Sequence, residues 1–161
     1  MKKTFVFLTV LFLTACANFG AFSSLEDFDN SSLKEELKGM AFQPKLPTIT
    51  PFKVTDTQVI YDENQDNLMV IDFMSLDESD NRVNNRMSLE AFNGGNIEER
   101  NMRREEVEIG EITGRYKVND AEAMILEWDK DGIYYSLIFY GKQSEKEVTK
   151  EELIKTAESF E

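Results

Sequence analysis

Residues 123–140 read AMILEWDKDGIYYSLIFY. Two largely apolar runs, Ala123 to Trp128 and Ile133 to Tyr140, flank Asp129-Lys130-Asp131-Gly132. This reads as a β-hairpin, with Gly132 supplying the positive φ that a short loop requires. Both faces of the second arm are apolar, Ile133, Tyr135, Leu137 and Phe139 alternating with Tyr134, Ile138 and Tyr140. Leu68 to Phe73 behaves similarly, with Met69, Ile71 and Phe73 opposed to Leu68 and Val70. A sheet with one wet face alternates apolar and polar residues. Two readings follow: helices and loops close both faces, or the sheet curls around an apolar cleft. In the second reading Tyr134, Tyr135, Ile138 and Tyr140 are the candidate ligand face, suited to a lipid-like molecule.

Outward from the hairpin, the chain reads as helix, sheet, helix. Ser32 to Met40 places Leu33, Leu37 and Met40 on one helical face, with Ser31 or Ser32 to cap it and Gly39 to end it. Pro44, Pro47 and Pro51 follow within eight residues. Fixed φ and missing amide donors make Phe42 to Pro51 an extended connector. Phe52 to Tyr61, Leu68 to Leu76, a strand holding Met87, Leu89 and Ala91, and short pieces at Glu106 to Ile112 and Tyr116 to Val118 complete the sheet. At the C-terminus Thr149 and Glu152 form the capping box T-x-x-E, followed by Leu153, Ile154, Ala157 and Phe160 at helical spacing. The expected class is α+β: an antiparallel β-meander sheet, a C-terminal amphipathic helix packed on one face and a short N-terminal helix.

The composition excludes more than it asserts. The chain has 161 residues, a formal net charge of -13, no histidine and one cysteine, Cys16. One cysteine forms no internal disulfide and no thiolate zinc site. Without histidine the commonest general base, the usual Ser-His and Cys-His pairs and imidazole metal ligation are lost. An acidic balance disfavours nucleic acid as a partner. Asp62-Glu63-Asn64-Gln65-Asp66-Asn67 begins like a calcium loop, but Asn67 replaces the turn glycine and Phe73 the closing glutamate, so it reads as a polar turn. Asp77, Glu78 and Asp80 read as a solvated loop. Arg100, Arg103 and Arg104, among Glu98, Glu99, Glu105 and Glu106, read as a salt-bridged surface. Trp128 reads as a packing anchor. No phosphate loop, nucleophile elbow or dinucleotide fingerprint occurs. The chain is therefore expected to be non-catalytic, with no cofactor and no metal.

The N-terminus carries the plainest functional signal. Lys2 and Lys3 precede the uncharged run Thr4 to Leu13, then Thr14, Ala15 and Cys16. A positive start, a short apolar run and small residues are the parts of an export signal. The run is too short for the ~20 residues of a spanning helix. Leu13-Thr14-Ala15-Cys16 resembles the lipobox of bacterial lipoproteins. The resemblance implies cleavage between Ala15 and Cys16 and a diacylglyceryl group on the Cys16 sulfur. The expected organisation is a signal peptide over 1–15, a lipidated tether over 16–31 and one domain over 32–161, held on the extracytoplasmic face of the cell membrane. Loss of Lys2 and Lys3 makes the net charge of -13 two units more negative, so anionic headgroups repel the body.

A second resemblance lies at the other end. Ile125 to Tyr135 with its Trp128 and Asp131-Gly132 turn, and Val148 to Phe160 (VTKEELIKTAESF), look like a domain of unknown function from Gram-positive spore-forming bacteria. Phe42-Gln43-Pro44-Lys45-Leu46-Pro47 resembles its proline-rich lead-in, while Ile49-Thr50-Pro51-Phe52-Lys53 departs from the usual Leu-Pro-Glu-Gly-Tyr. The resemblance implies lipoproteins and extracytoplasmic ends of anti-sigma-like membrane proteins, and a fold distantly like lipoprotein-carrier domains. It implies no catalytic residues. The expected function is an interaction or envelope-sensing module with a protein partner. The alternative is a binder or carrier of an apolar ligand.

Overall fold

The computed structural model describes residues 25–61, 67–77, 79–94 and 104–161. The expected signal peptide, Ala15, Cys16 and the tether up to Ser24 lie outside these residues, as do Asp62 to Asp66, Glu78, Arg100 and Arg103.

The chain enters the fold at a two-residue strand β1 (Glu26–Asp27) and a short helix α1 (Ser31–Glu36). Strand β2 (Ile49–Thr50) pairs antiparallel with β1. Then come β3 (Asp56–Tyr61), β4 (Leu68–Leu76), β5 (Val83–Asn93), β6 (Glu105–Ile109), β7 (Ile112–Val118), β8 (Ala123–Lys130) and β9 (Ile133–Tyr140). Helix α2 (Lys150–Glu158) closes the chain.

Seven strands form one antiparallel sheet in the order β3-β4-β5-β9-β8-β7-β6. This corrects the single meander. Two meanders, β3 to β5 and β6 to β9, meet where β5 pairs with β9. The physical reason lies in the side chains. β5 and β9 bring Leu89 against Leu137 and Ala91 against Tyr135 in the middle of the sheet, where burial stabilises them most. β6, with Glu105, Glu106 and Glu108, goes to an edge.

The β8–β9 hairpin turns in two residues, Lys130 pairing with Ile133. Asp131 and Gly132 have φ of 54° and 80°, the positive pair that matches the right-handed twist of the strands. This turn sets the register and hence which side chains share a face.

One face carries the core. Met69, Ile71, Phe73, Met87, Leu89, Leu126, Trp128, Tyr135, Leu137 and Phe139 are buried there with Leu153, Ala157 and Phe160. The capping box starts α2: Thr149 Oγ1 accepts from the Glu152 amide at 3.2 Å, and Glu152 Oε2 accepts from the Thr149 amide at 2.7 Å. Leu33, Leu37, Phe42, Leu46 and Phe52, from α1 and the proline connector, fill the rest. The connector is clamped to the end of α2. Ser159 Oγ accepts from the amides of Thr48 and Ile49, and Leu46 and Glu161 exchange two backbone hydrogen bonds.

Part of the span expected as tether packs on the body: Phe28 donates its amide to the Thr48 carbonyl and sets its ring edge-on to Phe73, 5.5 Å between centroids. Helix α1 stops at Glu36, because Leu37 to Met40 tighten into turns that bond to Leu33, Glu35 and Leu37 and Gly39 takes a φ of 90°.

Candidate functional site

The hairpin divides the four candidate ligand residues between two faces. Tyr135 faces the core: its ring stacks on Trp128 at 5.2 Å and meets Phe160 edge-on. Its hydroxyl accepts from the Lys45 amide at 3.0 Å. Burial raises its pKa, partly offset by that amide. Tyr135 therefore does not share a surface with Tyr134, Ile138 and Tyr140, which lie on the opposite face.

That second face carries a charged belt, which neither of the two sequence readings, covered faces or an apolar cleft, anticipated. Register places Asp72 beside Ser88, Ser88 beside Ile138 and Ile138 beside Ile125. One row over, Glu90 stands beside Ser136, Ser136 beside Glu127 and Glu127 beside Arg115. Asp72 and Glu127 are both buried. Lys117 Nζ reaches Glu127 Oε1 at 3.0 Å, and Arg104 Nε approaches Oε2 at 3.3 Å. The Arg104 contact lacks hydrogen-bond alignment, leaving both atoms unsatisfied. Arg104 thus corrects the reading of its cluster as a surface network: it turns inward to a carboxylate on β8. Arg86 holds Asp72 at 2.8 Å and lies over the Tyr140 ring, 5.0 Å from its centroid. Ser88 bonds the other Asp72 oxygen.

Electrostatics follow from this crowding. Tyr134 is pushed well above its ordinary value by burial, then by the charge and hydrogen bond of Glu127, so it remains a neutral donor. Glu90 is raised by desolvation first and by Glu127 second, with Lys117 opposing. Neighbouring carboxylates of unlike environment can divide acid and base roles. Here the buried member, Glu127, is bound by two cations of its own chain, Lys117 and Arg104.

The described cavities lie elsewhere, flanking α1. One of about 350 Å³ is lined by Lys34, Leu37, Lys38, Gln43, Pro44, Lys45 and Glu161. Another of about 200 Å³ is lined by Phe28, Asp29, Ser32, Leu33 and Val54 to Thr57. Tyr134, Ile138 and Tyr140 line neither. Asp72, Arg86, Lys117 and Glu127 are the residues that sequence reasoning missed. A single carboxylate inside an apolar run, as in MVIDFM and MILEW, was the available signal.

Residues 53–160, about two thirds of the chain, match a domain of unknown function, DUF4367. The chain belongs to this family. The match takes in the whole seven-stranded sheet and α2, and begins at Lys53, after the proline connector. Membership of a domain of unknown function, expected from the C-terminal residues, is thereby shown. No curated protein and no solved structure matches the DUF4367 chain. No helix among its described residues is long and apolar enough to cross a membrane.

Proposed function

We propose that this DUF4367 chain is a lipoprotein, anchored through Cys16 on the extracytoplasmic face of the cell membrane, whose domain is a non-catalytic interaction module. The lipobox-like Leu13-Thr14-Ala15-Cys16 supports the anchor, since two acyl chains hold a protein stably where one is marginal. The observation that carries the interaction reading is the second sheet face. Its centre is a set of oppositely charged groups, the buried carboxylates Glu127 and Asp72 held by the less buried Lys117 and Arg86, flanked by half-buried Ile125, Ile138 and Tyr140. Charge arranged this way selects a partner and its register. An apolar ligand would leave these groups unsolvated and unpaired by anything it offers. The core face offers that ligand little room, with Phe73, Tyr135, Leu137 and Phe139 all at or below 1% exposure.

Labelling with radioactive palmitate and membrane fractionation test the anchor. The wild-type chain should carry label and sediment with membranes, and Cys16→Ala should lose both. Label that persists in Cys16→Ala removes the anchor. Native mass spectrometry after incubation with total host lipid tests the carrier alternative. No adduct on the folded domain is expected. An adduct abolished by Ile138→Ser, with the fold retained, would establish the carrier instead.

A further inference from the structure

The larger of the two cavities beside α1 reverses the charge of the molecule around it. The chain carries 31 acidic and 18 basic residues. Yet Lys34, Lys38 and Lys45 line this space, with a single carboxylate side chain, Glu161, among the described residues. Leu37 and Pro44, both buried, give it an apolar wall. Gln43 adds a neutral donor at the exposed rim. An apolar lining with a few convergent polar groups is the usual make-up of a small-molecule site, and about 350 Å³ is within the usual range.

The walls are fixed and the cations are not. The Lys45 amide donates to the Tyr135 hydroxyl at 3.0 Å, and Leu46 and Glu161 exchange two backbone hydrogen bonds, which hold the connector in place. The lysine heads can turn. Lys34 meets Glu161 at 3.4 Å, Lys45 meets Asp131 at 3.0 Å, and Lys38 meets Glu35 three residues earlier. All six of these side chains are exposed, the least of them at 38%, and exposed pairs of this kind hold weakly. Glu35 and Asp131 do not line the cavity.

We infer that this cavity binds a small organic phosphate, its phosphoryl oxygens shared among Lys34, Lys38 and Lys45 and its apolar body set against Leu37 and Pro44. The kind of anion follows from the number of cations. A carboxylate needs one of them, as Glu161 on Lys34 shows. A phosphate monoester carries about two negative charges on three terminal oxygens. That is enough to engage all three ammonium heads, which act as point charges on flexible stems. The space is too small for a two-chain lipid, so the expectation of no lipid adduct stands. The cavity lies beside α1 on the core side of the sheet, apart from the charged second face. The inference therefore stands or falls independently of the interaction reading and of the anchor.

Phenyl phosphate titrated into the isotope-labelled full chain in zwitterionic detergent, followed by amide NMR shifts, tests it. Saturable shifts are expected over Lys34 to Lys45. Phenyl phosphate should bind more tightly than benzoate, which keeps the ring but carries one charge. Lys38→Gln and Lys45→Gln should each weaken binding by about fivefold. Lys142→Gln, at an exposed lysine outside the cavity, should leave it unchanged. Dihexanoyl phosphatidic acid separates the two sources of a phosphate: tighter binding than phenyl phosphate would give the site to a lipid headgroup and overturn the soluble ligand. No saturable shift into the millimolar range, shifts centred elsewhere, equal affinity for benzoate, or indifference to both cavity variants also overturns the inference.

Discussion

Glu127 concentrates the energetics of the second face in one side chain. It is buried, it holds Lys117 and Arg104, and it accepts from Tyr134. Removing one member of a buried ion pair leaves the others uncompensated, which costs about 3 kcal/mol or more. Glu127→Gln should therefore lower unfolding stability by about that amount in a urea titration. An unchanged midpoint would mean the pair is not desolvated. Glu90 gives a prediction of opposite sign. Its folded pKa lies above the ordinary 4.5, so ionising it costs the fold stability. That cost is absent while pH is below 4.5, and is complete once pH passes the raised folded value. Glu90→Gln should raise the melting temperature at pH 7, with the gain shrinking as pH falls toward 4.5. At this scale the sequence was half legible. The alternation of Tyr134 and Tyr135 fixed opposite faces, but the pairing of Glu127 with Lys117 depends on the β7–β8 register, which short strands around Gly114 do not reveal.

At the scale of elements, local signals decided local outcomes. The capping box of α2 and the Asp131-Gly132 turn were legible because each is specified within four residues. Thr149→Ala should destabilise the fold by about 1 kcal/mol through loss of the cap, read as a lower denaturation midpoint, and Thr149→Ser should restore most of it. Gly114 looked like a break between two pieces and is in fact the middle of β7. A Cβ there would stand 3.0 Å from the Glu127 carbonyl oxygen and against Ile109. Gly114→Ala should cost about 1–3 kcal/mol by overpacking, in the same titration. Strand order was not legible. Nothing near Asn93 signals that β6 joins the far edge, because that choice is made by the pairing of β5 with β9, forty residues or more apart in the chain.

For the whole molecule, the features separate into a closed core face and a charged second face. The core follows from apolar spacing that the sequence displays directly. The charged pairs of the second face were hidden because runs such as AMILEWDK hold a buried carboxylate among larger apolar neighbours, and its partners come from other strands. The charged second face, with Glu127 on Lys117 and Asp72 on Arg86, is what supports the proposed interaction module. The proposed anchor at Cys16 would hold that module at the membrane. The intact mass of the chain extracted from host membranes tests it most directly. The account predicts a chain lacking residues 1–15, with Cys16 as its first residue and a diacylglyceryl group on its sulfur. A chain beginning at another residue, or one whose Cys16 carries no lipid, would contradict it.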